Sequence, residues 1–206
     1  MAGVPEMLAL VKTAHAAQSR NNGRVPYWMH VQAVAQILDD AIVRGAEIQY
    51  PLRERMYLAA LGHDLYEDTN VSRASIETTF GADVAGLIEG MTNDGDTDRA
   101  AYLARMENAP EEVRLIKLAD VVENITSVTY AVPDMGIDWV ETFFAPIARE
   151  MSKLLGASSF SKYPRTAQSL QFLLAFAAKR LEQTIVMYTG RPERTGGSLP
   201  SEITKE

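Results

Sequence analysis

The chain has 206 residues, 47% apolar and 23% charged, with 20 Lys or Arg against 27 Asp or Glu and no cysteine. This balance supports one domain with a sizeable core and excludes wholesale disorder, while the lack of cysteine excludes disulfides, thiolate metal sites and thiol catalysis. A net charge of −7 disfavours a nucleic-acid partner; the longest apolar run, 172–178, is too short to cross a bilayer; and with no secretory signal in view a cytoplasmic location is expected.

Helical periodicity dominates. A first helix is expected after Pro5, with Leu8 and Val11 on one face. Residues 27–44 predict a second, with Val31, Val34, Ala35, Leu38 and Ile42 at helical spacing and Gly45 as its stop. Pro51 suits the first turn of a third helix continuing to about residue 65. Ser72 is the expected N-cap of a short helix that ends before Gly81, and 83–91 forms the next. Asn93, Asp94 and Gly95 mark a turn. Thr97 or Asp98 should cap a helix to about 108. Pro110, Glu111 and Glu112 open a long helix to about 130, with first-turn carboxylates matched to the helix dipole. Residues 133–136 break the pattern, and helices over 138–155 and 166–188 follow. The apolar run 172–178 is expected in the core. The fold class predicted is all-α, a single domain over 1–189 with eight to ten helices, followed by a polar, Gly/Pro-rich and flexible tail over 190–206.

Three places carry chemistry. His30 lies on the second helix with Val34 and Ile37 at helical spacing, so it is either a hydrogen-bonded core histidine or a ligand. His63 and Asp64 precede Glu67 and Asp68 at the end of an apolar helix. On a helical wheel these four fall at roughly 0°, 100°, 40° and 140°, on one side. Three carboxylates so crowded resist ionisation unless a cation joins them, although a solvated helix end is the simpler alternative. Asp120 sits among Leu115, Ile116, Leu118, Ala119, Val121 and Val122, so it should be buried and in need of a partner. Lys117 one turn earlier could supply that partner. Asn124 and Ser127 share the Asp120 face, and Val121 and Glu123 read as bystanders. Together His30, His63, Asp64 and Asp120 make a complete set for one divalent ion, with positions left for water and substrate.

Five segments occur in a recognisable order: Ala14-His15-x-x-Gln18-x-Arg20; Pro26-Tyr27-x-x-His30-x-x-Ala33-Val34-Ala35; Ala59-Ala60-Leu61-Gly62-His63-Asp64-x-x-Glu67-Asp68-Thr69; Phe80-Gly81 through Gly90-Met91-Thr92; and Ile116-Lys117-Leu118-Ala119-Asp120-x-x-x-Asn124. Over about residues 8–130 the chain resembles the HD-superfamily hydrolase domain of the RelA/SpoT-type alarmone enzymes, and in length the stand-alone small alarmone hydrolases. The resemblance implies an all-α fold and one Mn²⁺ held by His30, His63, Asp64 and Asp120. It implies that Glu67 and Asp68 activate the attacking water and handle protons, and that the 3′-pyrophosphate is removed from ppGpp or pppGpp. It further implies that Arg20 contacts the nucleobase, with Asn124 and Ser127 in the nucleoside pocket, and a phosphorylated substrate makes Arg20, Arg24, Lys117, Arg99 and Arg105 the candidate cations for its phosphates.

The chain also departs from the family. Val31 follows His30 where relatives commonly have proline, and Asn21 and Asn22 stand where a lysine often follows the arginine. Val121 and Glu123 replace the basic and aromatic or histidine residues of the long enzymes, and the loop 93–98 is acidic. These changes leave the metal set intact and leave open an adenine alarmone, NADPH or another phosphorylated nucleotide as substrate, or a binding domain without turnover.

Overall fold

In a computed structural model of the chain, residues 2–20, 23–93 and 98–190 are described. The expected tail from 191 onward, the Asn21–Asn22 pair and most of the acidic loop lie outside them. Nine helices of eight residues or more dominate: α1 Val4–Ala14, α2 Trp28–Gly45, α3 Leu52–Gly62, α5 Arg73–Phe80, α6 Ala82–Met91, α7 Arg99–Glu107, α8 Glu111–Met135, α10 Ala145–Ala157 and α11 Pro164–Thr189. Two short pieces, α4 Leu65–Asp68 and α9 Ile137–Trp139, complete the α-helical segments, and a π-helical turn, Val140–Phe144, joins α9 to α10. The all-α expectation holds, with one small addition. Ser19–Arg20 (β1) and Val25–Pro26 (β2) pair antiparallel, Arg20 opposite Val25, with Gly23 at φ +85 in the connection. That hairpin sets the direction in which Arg20 leaves the chain.

The long helix α8 is the axis of the molecule. Its buried apolar residues, from Val113, Leu115 and Ile116 to Val128, Ala131 and Val132, point almost every way, with Tyr130 left exposed. A helix apolar on every side must be enclosed by others, and α2, α6, α10 and α11 pack around it. On α11, Ala167, Leu170, Leu174, Ala177, Leu181 and Ile185 recur at three- and four-residue spacing and form the buried stripe. The apolar run 172–178 is therefore divided. Leu174 and Ala177 face the core, whereas Phe172 and Phe176 are exposed.

Several boundaries differ from the sequence expectations. Pro133 does not stop α8. It forfeits one backbone bond in the last turn, and the helix ends two residues later, where Gly136 adopts φ +85 and its N–H returns to Val132 O at 2.9 Å. Gly45 is not the left-handed stop of α2; that conformation falls on Ala46, at φ 54. Gly45 instead permits α11 to approach closely, since a Cβ there would meet the backbone of Thr166. Ser72 caps α5 as expected, its hydroxyl accepting from Ser75 N at 3.3 Å. The N-terminus of α11 is capped from a distance: the Glu47 carboxylate accepts from Arg165 N at 3.0 Å and Thr166 N at 2.9 Å.

Candidate metal centre

The site lies where α2, α3 and α8 meet. His30 is in the first turn of α2, buried, with its N–H bonded to Tyr27 O at 2.9 Å. Asp120 is in mid α8, buried to 3% exposure. The third contribution is not the smooth helical face expected for 63–68. Helix α3 ends at Gly62, Asp64 turns off with φ −96 and ψ 0, and Glu67 and Asp68 belong to the separate turn α4. The cause is local. Ala60 O lies 2.8 Å from His63 Nδ1, and a carbonyl can only accept, so the imidazole donates there and competes with the backbone for that oxygen. The same bond fixes the His63 tautomer and leaves Nε2 as the inward donor atom.

Inward of these elements the polar atoms converge. His30 Nε2 is 3.5 Å from Asp64 Oδ2 and 3.4 Å from Asp120 Oδ1. His63 Nε2 is 3.1 Å from Asp64 Oδ2 and 3.5 Å from Asp120 Oδ1. One donor atom each from His30, His63 and Asp120 falls within a 4.8 Å cluster. Asp64 closes the fourth side against both imidazoles, held by the Tyr27 hydroxyl at 2.8 Å. Among the described residues His63 Nε2, though 3.1 Å from Asp64 Oδ2, is buried without a well-formed hydrogen bond, a state that a buried polar atom rarely occupies unless something else satisfies it. Two imidazoles and two carboxylates suit a borderline divalent cation, so these residues fit such an ion.

The electrostatics agree. Burial alone would push the Asp64 and Asp120 carboxyls up, but the imidazoles, and for Asp120 first the Lys117 ammonium at 2.8 Å, hold both well below the usual carboxylate range. Burial likewise opposes protonation of the imidazoles, yet the facing carboxylates outweigh it and raise His30 to about 9 and His63 well above its ordinary value. A pocket that binds protons this tightly is a pocket built for positive charge. The Lys117–Asp120 pair is present as the sequence allowed, alongside the imidazoles rather than instead of them.

Of the other expected residues, Glu67 stands at the rim and accepts from Asn93 N at 2.7 Å. Desolvation raises its carboxyl above the ordinary value, and Asp64 and Asp68 add to this while the Asn93 N–H and Lys117 pull the other way. Asp68 is exposed beside it, its carbonyl accepting from Gln18 at 2.6 Å. Arg20 reaches α8, bonding Glu123 Oε2 and Asn124 Oδ1 at 2.7 Å each. Asn124 in turn donates to Asp120 Oδ1 at 2.6 Å. Ser127 is half-buried one turn beyond Asn124. Three of the cations considered for phosphate are engaged elsewhere. Arg24 pairs with Asp134, about 21 Å along α8 from Asp120. Arg99 pairs with Glu150, and Arg105 donates to the carbonyls of Gly90 and Thr92.

Two residues at the site had no role assigned from sequence. Glu123, read as a bystander, bonds His30 Nδ1. Its signal was available, since Asp120, Glu123, Asn124 and Ser127 follow the i, i+3, i+4, i+7 pattern of one helix face. Tyr27, whose hydroxyl holds Asp64, also stacks on His15 with ring centroids 4.8 Å apart. It carried only its place one turn before His30.

The fold and the cluster define an all-α protein with a two-histidine, two-carboxylate centre of the kind metal-dependent hydrolases use. The HD domain family matches residues 8–150, and the chain belongs to it. Among similar proteins, guanosine-3′,5′-bis(diphosphate) 3′-pyrophosphohydrolase MESH1 of Drosophila melanogaster is 32% identical over 62% of this chain and 70% of its own length. The MESH1 of Xenopus tropicalis is 33% identical over 58% of this chain and 66% of its own. A guanosine-3′,5′-bis(diphosphate) 3′-pyrophosphohydrolase of Vibrio cholerae is 32% identical over 61% of this chain, which spans only 18% of that longer protein. A solved structure described as a metazoan ortholog of SpoT that hydrolyzes ppGpp superposes with a TM-score of 0.65, covering 84% of this chain and 93% of that one at 24% identity, a likeness of fold.

Proposed function

We propose that the chain is a Mn²⁺-dependent hydrolase that removes the 3′-pyrophosphate of ppGpp or pppGpp, leaving GDP or GTP, and that it acts in the cytoplasm as an HD-type domain over 1–189. The observation that carries this reading is the convergence of His30, His63, Asp64 and Asp120 on one point with Glu67 and Asp68 at its rim. The names of the stand-alone relatives from Drosophila and Xenopus support the choice of substrate. His30, His63, Asp64 and Asp120 would hold the ion. A divalent cation there would supply Lewis acidity, making water a stronger nucleophile and polarising a phosphoryl oxygen.

The chain's own residues supply the rest. A water oxygen attacks the phosphorus attached to the ribose 3′ oxygen, that P–O bond breaks, and the 3′ oxygen leaves with a proton. Glu67, its carboxyl raised above the ordinary value by desolvation, is a better base for the water proton than an unperturbed glutamate. Asp68 beside it shares the proton handling. Lys117 keeps Asp120 ionised and adds positive charge where phosphate arrives. Arg20, braced by Glu123 and Asn124, forms the nucleoside side of the pocket with Ser127 beyond, whereas Arg24, paired with Asp134, takes no part.

The test is product analysis by ³¹P NMR with Mn²⁺-loaded protein and ppGpp, ppApp and NADPH in parallel, using His63→Ala and Glu67→Gln as variants. Pyrophosphate released from ppGpp by the parent, lost in His63→Ala and reduced about 10²–10⁴-fold in Glu67→Gln with Mn²⁺ still bound, is the expected result. Cleavage of ppApp or NADPH alone would move the substrate. No turnover of any with Mn²⁺ bound would overturn the reading in favour of a binding domain.

A further inference from the structure

Glu123 occupies an unusual position for a residue outside the ligand set. A single oxygen, Oε2, takes both His30 Nδ1 and Arg20 Nη1, the latter at 2.7 Å. All three side chains are largely buried, at 13% exposure for Glu123, 15% for Arg20 and 3% for His30. An ionised carboxylate only accepts. Its bond to His30 therefore holds a ring proton on Nδ1 and turns Nε2 toward Asp64 and Asp120. The circuit continues on the other side. Arg20 Nη2 donates to Asn124 Oδ1 at 2.7 Å, and Asn124 Nδ2 donates to Asp120 Oδ1 at 2.6 Å. Asp120 Oδ1 is itself 3.4 Å from His30 Nε2. Glu123, Arg20, Asn124, Asp120 and His30 thus close a ring of side chains that runs through two of the residues facing the cation position.

We propose that Glu123 is a positioning residue that fixes His30 for metal binding and anchors Arg20 for substrate with the same carboxylate oxygen, so that both functions depend on one side chain. The two imidazoles are consequently unequal. His63 is oriented by a neutral carbonyl four residues or fewer away in the chain, whereas His30 is oriented by a charged group 93 residues distant. A carboxylate behind an imidazole strengthens it as a ligand more than a carbonyl does, and losing such a group commonly weakens metal affinity about 10–100-fold. The substrate half of this inference rests on the function proposed above; the metal half does not.

The experiment is calorimetric titration of the full chain with Mn²⁺, together with KM and kcat for ppGpp at saturating Mn²⁺, on the parent, Glu123→Gln, Glu123→Ala and Arg20→Ala. Glu123→Gln keeps the shape without the charge and should raise the Mn²⁺ Kd about tenfold, and Glu123→Ala by up to about a hundredfold. Both should raise KM, because Arg20 loses its anchor. Arg20→Ala should raise KM while leaving the Mn²⁺ Kd near the parent value, a separation that a general loss of structure would not produce. Should Glu123→Ala fail to fold, Glu123→Gln decides. A parent-like Mn²⁺ Kd in folded Glu123→Gln overturns the metal half, and a parent-like KM overturns the substrate half. A parent that binds Mn²⁺ but leaves ppGpp intact would refute the proposed function while the Mn²⁺ titrations still judge Glu123.

Discussion

Replacing Gly45 by alanine should destabilise the protein, although the same change in most helices helps. An added Cβ would stand 2.3 Å from Thr166 Oγ1, 2.8 Å from Thr166 N and 3.0 Å from Thr166 Cα. The hydroxyl can rotate aside, but the other two atoms are backbone, held in place by the Glu47 carboxylate that accepts from Thr166 N. The start of α11 and the end of α2 must therefore move apart. Overpacking of this kind costs about 1–3 kcal/mol, offset by at most about 1 kcal/mol from the helix propensity gained. The net loss should be about 1–2 kcal/mol, which for a chain of this size lowers Tm by about 2–8 °C. Gly86 in α6 supplies the internal control, for among the described residues nothing lies within 4 Å of its Cβ position. Gly86→Ala should gain up to about 1 kcal/mol and raise Tm. Far-ultraviolet circular dichroism during thermal and urea unfolding measures both. His30 lies about 22 Å up the same helix from Gly45, so Mn²⁺ affinity should stay at the parent value. A Tm for Gly45→Ala at or above that of the parent would refute the close-approach argument.

Ala46→Gly should stabilise the protein by about 0.5–1 kcal/mol, because the left-handed C-cap at φ 54 strains alanine and suits glycine; a lower urea midpoint would contradict this. Glu111 accepts from the N–H groups of Ser161, Lys162 and Tyr163 and from the Ser161 hydroxyl, and these bonds outweigh burial and hold its carboxyl below the ordinary value of 4.5. A lowered folded-state pKa gives stability that is present above 4.5 and lost as pH falls through the folded value. Glu111→Gln should therefore cost about 2 kcal/mol at pH 7, and the gap to the parent should narrow on acidification; a gap constant with pH would dispose of the carboxylate's role. Lys117→Met removes the ammonium 2.8 Å from buried Asp120 and should cost about 3–5 kcal/mol without added metal. Mn²⁺ should restore part of that loss, and an unchanged Tm would mean that the imidazoles alone keep Asp120 ionised.

Much of the architecture was legible because it is local. Apolar spacing located the nine longer helices, though it missed α4 and read α9, the π-helical turn and α10 as one helix over 138–155. The errors arose where a tertiary contact competed with a local rule. Gly45 is the last residue of α2 as expected, but the left-handed conformation falls on Ala46, and the missing side chain serves the approach of α11. Pro133 looks like a break, but a proline in the last turn forfeits little, and Gly136 supplies the conformation that ends α8. In 63–68 a helical wheel gathers four polar residues on one side, and the real chain gathers them by bending after Gly62. The grouping was right for a reason the wheel does not contain: His63 draws on Ala60 O and releases Asp64 from the helix.

At the site the same division separates what spacing encodes from what only packing can. The His63 anchor is three residues away, so its tautomer is implicit in any helix that ends there. The Asp120 neighbours Lys117 and Asn124 sit at one-turn spacing, and both contacts form. The His30 anchor is different. Glu123 shares a helix face with Asp120, which places it near the site, but only the packing of α2 on α8 turns its carboxylate to His30 Nδ1. The fate of the arginines is likewise tertiary. Arg20, Arg24, Arg99 and Arg105 look equivalent as phosphate cations in the chain, and their real partners lie on α8, α10 and the end of α6. Arg20 alone of the four is tied into the side-chain ring at the centre, and it is tied there by Glu123. The residue that composition and spacing ranked as incidental thus distinguishes the one arginine able to act at the site from three that are held elsewhere, and it does so through the same oxygen that orients a ligand.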